Sequence, residues 1–163
     1  MGKVIIVCGK ICSGTSFYAR KMQESLNAVF LSPDEATYEL ILNEQGEFYN
    51  VFSGRLNRYL TRLAGEIAKA DADVIFERGL WSAAERREIR EYFRKNGVKC
   101  EIHYVCVDDE TWQENIAERN QRILAGCGGS DFYLDEGLMA KLMSRWEEPA
   151  ADEYDILYRV SRV

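Results

Sequence analysis

The chain predicts an α/β fold, a parallel sheet with helices on both faces, and three observations carry that prediction. Short apolar, β-branched runs recur at residues 4–8, 28–31, 74–76, 101–107 and 156–160. Helical periodicity separates each run from the next, and strands that alternate with helices pair in parallel. The first run passes through a glycine-bounded loop straight into a helix, the strand, loop and helix order of an anion-binding unit. At 163 residues, 47% hydrophobic and with only two prolines, the chain is long enough for one cored domain, residues 1–163, and has no composition for a long linker.

Each element has its own signal. The run VIIVC at residues 4–8 reads as a buried strand, and residues 16–26 read as a helix with Tyr18, Met22 and Leu26 on one face. After the second run, Ser32 caps a helix that has Pro33 in its first turn, acids Asp34 and Glu35 beside it, and an end near Gly46. Leu56, Leu60, Leu63 and Ile67 recur at about 3.6 residues and mark another helix. Ser82 and Glu85 form a capping box for a helix that buries Ile89, Tyr92 and Phe93 and stops at Asn96 and Gly97. Trp112, Ile116 and Ile123 trace the next helix. Leu138, Leu142, Met143 and Trp146 trace the last, opened by Asp135 and closed before Pro149. The glycine-rich stretch AGCGGS, residues 125–130, follows a basic helix end and reads as a hinge or a mobile cover, so that a lid is expected over approximately residues 119–135.

Composition excludes several functions. A net charge of −6 and a pI near 5.0 argue against duplex nucleic acid as the main partner, because backbone affinity needs clustered Lys and Arg. No 18-residue apolar run offers a membrane span, and with no charged leader the expected location is cytoplasmic. The cysteines are odd in number and lack CxxC spacing, so neither a disulfide framework nor a zinc site is indicated; Cys8, Cys100 and Cys106 are expected to pack as small apolar residues. One histidine, His103 within a strand pattern, leaves no material for His-based metal or triad chemistry.

The chemistry concentrates at residues 9–16, GKICSGTS. This stretch has the spacing of the phosphate-cradling loop GxxxxGK[ST], with Thr15 where the lysine belongs. Gly9, Lys10, Ile11, Cys12, Ser13, Gly14, Thr15 and Ser16 are thus the expected nucleotide-binding residues. Backbone N–H groups and the helix dipole supply most of the grip on an anion, and none of that needs a side chain. The missing lysine is different, since it follows charge that builds on the outer phosphates during transfer. Lys10 either swings back to replace it or is a solvated loop lysine. Ser16 retains the hydroxyl that would ligand Mg²⁺.

In an open parallel sheet the ligand lies beyond the carboxyl ends of the strands. Asp34, after the second strand, is placed to take the proton of an attacking hydroxyl, or else it is a first-turn acid serving the helix dipole. Glu77, at the end of the third strand, stands where an acid would hold Mg²⁺; Arg78 follows it and can grip substrate or phosphate. Arg119 and Arg122, three apart on one helix, can converge on a shared anion or pair with neighbours such as Glu118. Arg86 is a weaker candidate. Tyr38, Phe48, Tyr49 and Phe52 either shape an acceptor pocket or join the core.

Taken in order, GKICSGTS, LSPDE at 31–35, VIFERGLWSAAERRE at 74–88, ERNQR at 118–122 and RWEEPAADE at 145–153 resemble the P-loop kinases grouped with zeta toxins and chloramphenicol phosphotransferase, over nearly the whole length. The resemblance implies a three-layer P-loop NTPase fold with a five-stranded parallel sheet in the order 2-3-1-4-5 and a short lid. It also implies ATP with Mg²⁺ on the loop and transfer of the γ-phosphate to a small-molecule hydroxyl. By position it makes Asp34 the base or substrate carboxylate, Arg86 the arginine after the third strand, Arg119 and Arg122 the lid arginines, and residues 146–149 the adenine-side segment. Thr15 for lysine and Glu77 for aspartate are its departures. The first permits three explanations: an engineered loss of activity, an enzyme rescued by Lys10, or a protein that binds nucleotide without turning it over. A nucleoside or nucleotide kinase is a further alternative.

Overall fold

A computed structural model describes residues 1–41, 47–129 and 131–162. The element order is β1 (Lys3–Cys8), α1 (Thr15–Leu26), β2 (Val29–Leu31), α2 (Pro33–Ile41), α3 (Glu47–Lys69), β3 (Val74–Gly79), α4 (Ala83–Lys95), β4 (Lys99–Val107), α5 (Asp109–Leu124), α6 (Glu136–Met143) and β5 (Ile156–Val160). All strand pairs are parallel, and the sheet runs β2-β3-β1-β4-β5. This is the expected α/β architecture in the expected strand order.

Strand alternation sorts the core into two layers. In β1, Val4, Ile6 and Cys8 face one way and pack with Leu56, Leu60 and Ala64 of α3 and Ile89 and Phe93 of α4. Ile5 and Val7 face the other way and meet Tyr18 and Ala19 of α1 and Val105 of β4. Every residue from Val4 to Cys8 is fully buried, which explains why the run is apolar without interruption. The first layer is the larger.

The helix caps form as expected. Ser32 Oγ accepts from Glu35 N–H at 3.3 Å, and at α4 Ser82 accepts from Glu85 N–H at 3.1 Å while the Glu85 carboxylate accepts from Ser82 N–H at 3.0 Å. Asp135 caps α6 by accepting from Leu138 N–H at 2.7 Å. Three details differ from expectation. Tyr92 lies on the exposed side of α4, because the buried stripe there narrows to Arg86, Ile89 and Phe93. Helix α6 ends at Met143, so Trp146 reaches the core from an irregular segment, edge-on to Trp81 at 6.0 Å between ring centroids. The third strand runs on to Gly79, placing Glu77 and Arg78 inside it. The expected helix end near Gly46 lies outside the described residues.

Cys8 is buried, and Cys100 and Cys106 pack against the larger layer; burial pushes the thiols of Cys8 and Cys100 up to about 12, so both stay protonated. His103 is engaged internally, with Nδ1 at 2.7 Å from Tyr18 Oη and Nε2 at 3.1 Å from the Glu101 carboxylate. Among the described residues no helix is long and apolar enough to cross a membrane.

Candidate active site

A cleft of about 1150 Å³ opens beyond the carboxyl ends of β1, β2 and β3. The loop after β1 forms its floor. Two left-handed residues, Cys12 (φ 58°) and Gly14 (φ 96°), bend that loop into a cup. A Cβ on Gly9 would lie 2.6 Å from both Ser13 Oγ and the Thr15 methyl, so only glycine permits this close return of the chain.

The loop's carbonyls are drawn away from the cup. Trp112 Nε1 donates to Ile11 O at 2.8 Å, and Asn115 Nδ2 donates to Cys12 O at 3.0 Å. Ser13 N–H turns back to Lys10 O at 3.2 Å, and Gly9 N–H to Gly79 O at 3.1 Å. Among the described residues, the main-chain N–H groups of Lys10, Ile11, Cys12, Gly14, Thr15 and Ser16 have no protein acceptor. Ser13 Oγ is buried and likewise without a partner. A cup of unpaired donors at a helix N-terminus is a site for an anion.

Ser16 Oγ donates to the Glu77 carboxylate at 2.9 Å, bringing the expected metal-binding pair together at the edge of the cup. Burial raises the Glu77 pKa, and the Ser16 hydrogen bond opposes that rise. Asp34 stands at the start of α2 on the cleft wall, where burial also raises its pKa and the Arg119 guanidinium works against the rise. Tyr49 lies near Asp34, and both burial and that carboxylate raise its phenol.

Helix α5 lines the cleft with Asn115, Arg119 and Arg122, which share one helical face with Trp112 at spacings of three, four and three. Arg119 points across the cleft mouth, its Nε 3.3 Å from Phe132 O and its Nη2 3.6 Å from the Asp131 carboxylate. Asn120 clamps Leu134 reciprocally, donating to its carbonyl at 2.9 Å and accepting from its N–H at 2.7 Å. Arg122 lines the cleft and is exposed.

The remaining candidates fall elsewhere. Lys10 Nζ sits 3.6 Å above the Trp112 ring, a cation–π contact that holds the ammonium on α5. Arg86 does not reach the cleft: it is 1% exposed, donates to Leu80 O at 2.8 Å and pairs with Glu153 at 3.3 Å. Its guanidinium thus ties α4 to the turn after β3. Trp146 packs on Tyr104 and Trp81 rather than lining the cleft. Of the aromatic candidates only Tyr49 lines it; Phe52 joins the core, whereas Tyr38 and Phe48 are exposed. Sequence reasoning missed Trp112 and Asn115 as the pegs of the loop, although their common face with Arg119 was readable from spacing alone.

The parallel sheet with a glycine-bent anion cup between β1 and α1 defines a P-loop NTPase fold. The chain belongs to the AAA domain family AAA_33, whose model matches residues 4–149. The comparison with curated proteins finds no match. Among solved structures the chain is similar to a sugar kinase from Janibacter sp. HTCC2649, at 15% identity over 98% of this chain and 86% of that one, with a TM-score of 0.64. It is similar to a gluconokinase from Sinorhizobium meliloti 1021, at 13% identity over 99% and 84%, with a TM-score of 0.62. It is also similar to the Mycobacterium tuberculosis APS kinase solved with AMPPNP and APS, at 16% identity over 99% and 90%, with a TM-score of 0.68. At these identities the likeness is one of fold.

Proposed function

We propose that the protein is an ATP-dependent phosphotransferase of the zeta-toxin and chloramphenicol-phosphotransferase-like group, moving the γ-phosphate to a hydroxyl of a small molecule. The observation that carries this reading is the cup of unpaired N–H groups at residues 10–16, with the Ser16–Glu77 pair at one edge and Asp34 on the facing wall of the same cleft. Gly9 to Ser16 cradle the phosphates chiefly through their main-chain N–H groups. Ser16 and Glu77 are the residues that would hold Mg²⁺. Mg²⁺ is characteristically held by one or two protein oxygen ligands, with the rest supplied by phosphate and water.

ATP supplies the phosphoryl group: the acceptor oxygen bonds to the γ-phosphorus, the bond from that phosphorus to the β–γ bridging oxygen breaks, and ADP leaves. Asp34 takes the hydroxyl proton; its raised pKa brings it nearer to that task than an ordinary aspartate. Arg119 and Arg122, on the lid side, face the charge that moves between oxygens. Thr15 offers a hydroxyl but no cation, and the loss of a preorganised charge costs about two to three powers of ten in rate. The activity is therefore weakened relative to a lysine-bearing loop.

The position of Lys10 favours a second reading, a nucleotide-binding module without turnover, because its ammonium rests on Trp112 instead of facing the cup. ATP consumption by the unmutated protein and by Thr15→Lys, over a panel of sugars, nucleosides and aminoglycosides, separates the two. Phosphotransfer predicts an acceptor-dependent rate that rises roughly 100-fold or more in Thr15→Lys. Tight nucleotide binding with no turnover in either form rejects it.

A further inference from the structure

The acceptor's chemical class is legible in one side chain that the cup and the metal pair do not use. The β1–β3 register reads Val7↔Glu77 and then Cys8↔Gly79, so Arg78 is an extra residue with no partner on β1. Such irregularities re-aim a side chain beside an active site. Glu77 turns toward α1, where it meets Ser16. Arg78 turns to the opposite side, where its charged neighbours are Glu85 and Glu88 on α4.

Neither glutamate pairs with it. The Glu85 carboxylate is spent on Ser82 N–H in the capping box, and among the described residues the Arg78 guanidinium makes no hydrogen bond or ion pair, although it is partly buried and lines the cleft. Burial lowers its pKa, yet a guanidinium remains charged throughout the working range. A half-buried planar cation whose donors meet no protein acceptor, and reach only the cleft, gains strong charge-assisted hydrogen bonds when a ligand carboxylate or phosphate fills its fork.

The same side of the cleft holds a second unmet group. Asn57 lies on α3 between Leu56 and Leu60, whose side chains pack with Phe76 of β3 in the larger core layer. Asn57 lines the cleft, and its side-chain oxygen is buried without a donor. The α1 side thus presents the phosphate cup, while the α3–α4 side presents an unpaired fork of donors and an unpaired acceptor.

Resting on the phosphotransfer reading, we infer that the acceptor is an anionic polyhydroxyl compound whose carboxylate or phosphate is gripped by Arg78 while one hydroxyl donates to Asn57 and another faces Asp34. A sugar acid and a sugar phosphate share that chemistry.

Calorimetric titrations of the full chain, saturated with the nonhydrolysable analogue AMPPNP and Mg²⁺, test this with matched pairs. D-gluconate against D-glucitol forms the carboxylate arm, and glucose 6-phosphate against glucose forms the phosphate arm. The expected result is roughly tenfold or tighter binding of the charged member in at least one arm, which also identifies the anion. Arg78→Gln should bring that compound down to the level of its neutral match and leave AMPPNP affinity within about twofold. Arg78→Lys, which keeps the charge and loses the fork, should recover part of the difference. Equal binding within both pairs overturns the inference. So does an Arg78→Gln effect that falls equally on charged and neutral members, or one that falls on AMPPNP. Failure of the unmutated protein to bind AMPPNP is a separate result: it removes the phosphotransfer reading and this inference with it.

Discussion

The loop after β1 and residues 131–134 line the same cleft and both rest on α5, but they owe their shapes to different physics. The loop takes its bend from the backbone, two left-handed residues and a glycine where the chain folds back on itself, and α5 side chains then peg that bend: Trp112 and Asn115 hold two carbonyls, and Arg119 Nη1 reaches Cys12 Sγ at 3.9 Å. The 131–134 segment is held by side chains, chiefly the Asn120 clamp on Leu134 and Arg119 reaching Phe132 and Asp131. Main-chain geometry survives the loss of a side chain, which is why the cup persists with threonine at position 15. Side-chain clamps can be released and remade. On the proposed function, the cup would hold the anion and the arginines of α5 would face it across the cleft.

The largest expected effect comes from breaking the backbone side of this comparison. In Gly9→Ala the new Cβ would meet Ser13 Oγ and the Thr15 methyl at 2.6 Å, with the Val105 carbonyl at 3.1 Å behind them. The loop must move, and AMPPNP affinity measured by calorimetry should fall by about two orders of magnitude or more. Gly54→Ala is the control. That glycine lies within α3 with nothing inside 4 Å of an added Cβ, so the change should leave binding intact and raise stability by about 0.5–1 kcal/mol. Undiminished binding by Gly9→Ala would mean that the cup does not hold the phosphates.

The same contrast explains what the amino-acid order revealed. The sheet was legible because β1 is buried on both faces and must be apolar throughout, and the caps at Ser32, Ser82 and Asp135 announce three helices by local chemistry. The loop was legible through its glycine spacing. What escaped depends on long-range placement. Lys10 rests on a ring more than a hundred positions away, and Arg86 is drawn inward by Leu80 O and Glu153, which no local pattern encodes. Arg78 owes its direction to a register slip that exists only once β1 and β3 pair.

A smaller effect should follow from loosening the side-chain clamp. Asn120→Ala leaves Leu134 N–H and C=O without their partner, at a cost of about 1–3 kcal/mol for groups held away from water. Amide hydrogen exchange at residues 131–134 should accelerate roughly tenfold while the strands of the sheet stay protected. The AMPPNP dissociation constant should shift far less than in Gly9→Ala. If exchange at 131–134 does not change, the segment is anchored by something other than Asn120, and the contrast between the two sides narrows.

The smallest effect tests the electrostatics of the wall between them. Burial raises the Asp34 pKa above its ordinary value of 3.8, against the pull of Arg119. The folded state therefore holds the Asp34 proton more tightly than the unfolded chain does. The linked stability is greatest below the unfolded value, declines as pH rises through the raised native value, and stays reduced at neutral pH. Asp34→Asn removes the charge and with it the penalty. Because Asp34 is open to the cleft and its charge is screened by solvent, the variant's melting temperature should exceed that of the unmutated protein by no more than about 1 °C near pH 7, and the two should converge as pH falls below the native value. Phosphotransfer should be lost in the same variant at every pH, because the amide cannot take the acceptor's proton. A melting gap that is the same at pH 4 and pH 7 would show that Asp34 is not burdened by its burial, and a gap of opposite sign would show that Arg119 stabilises the ionised form outright.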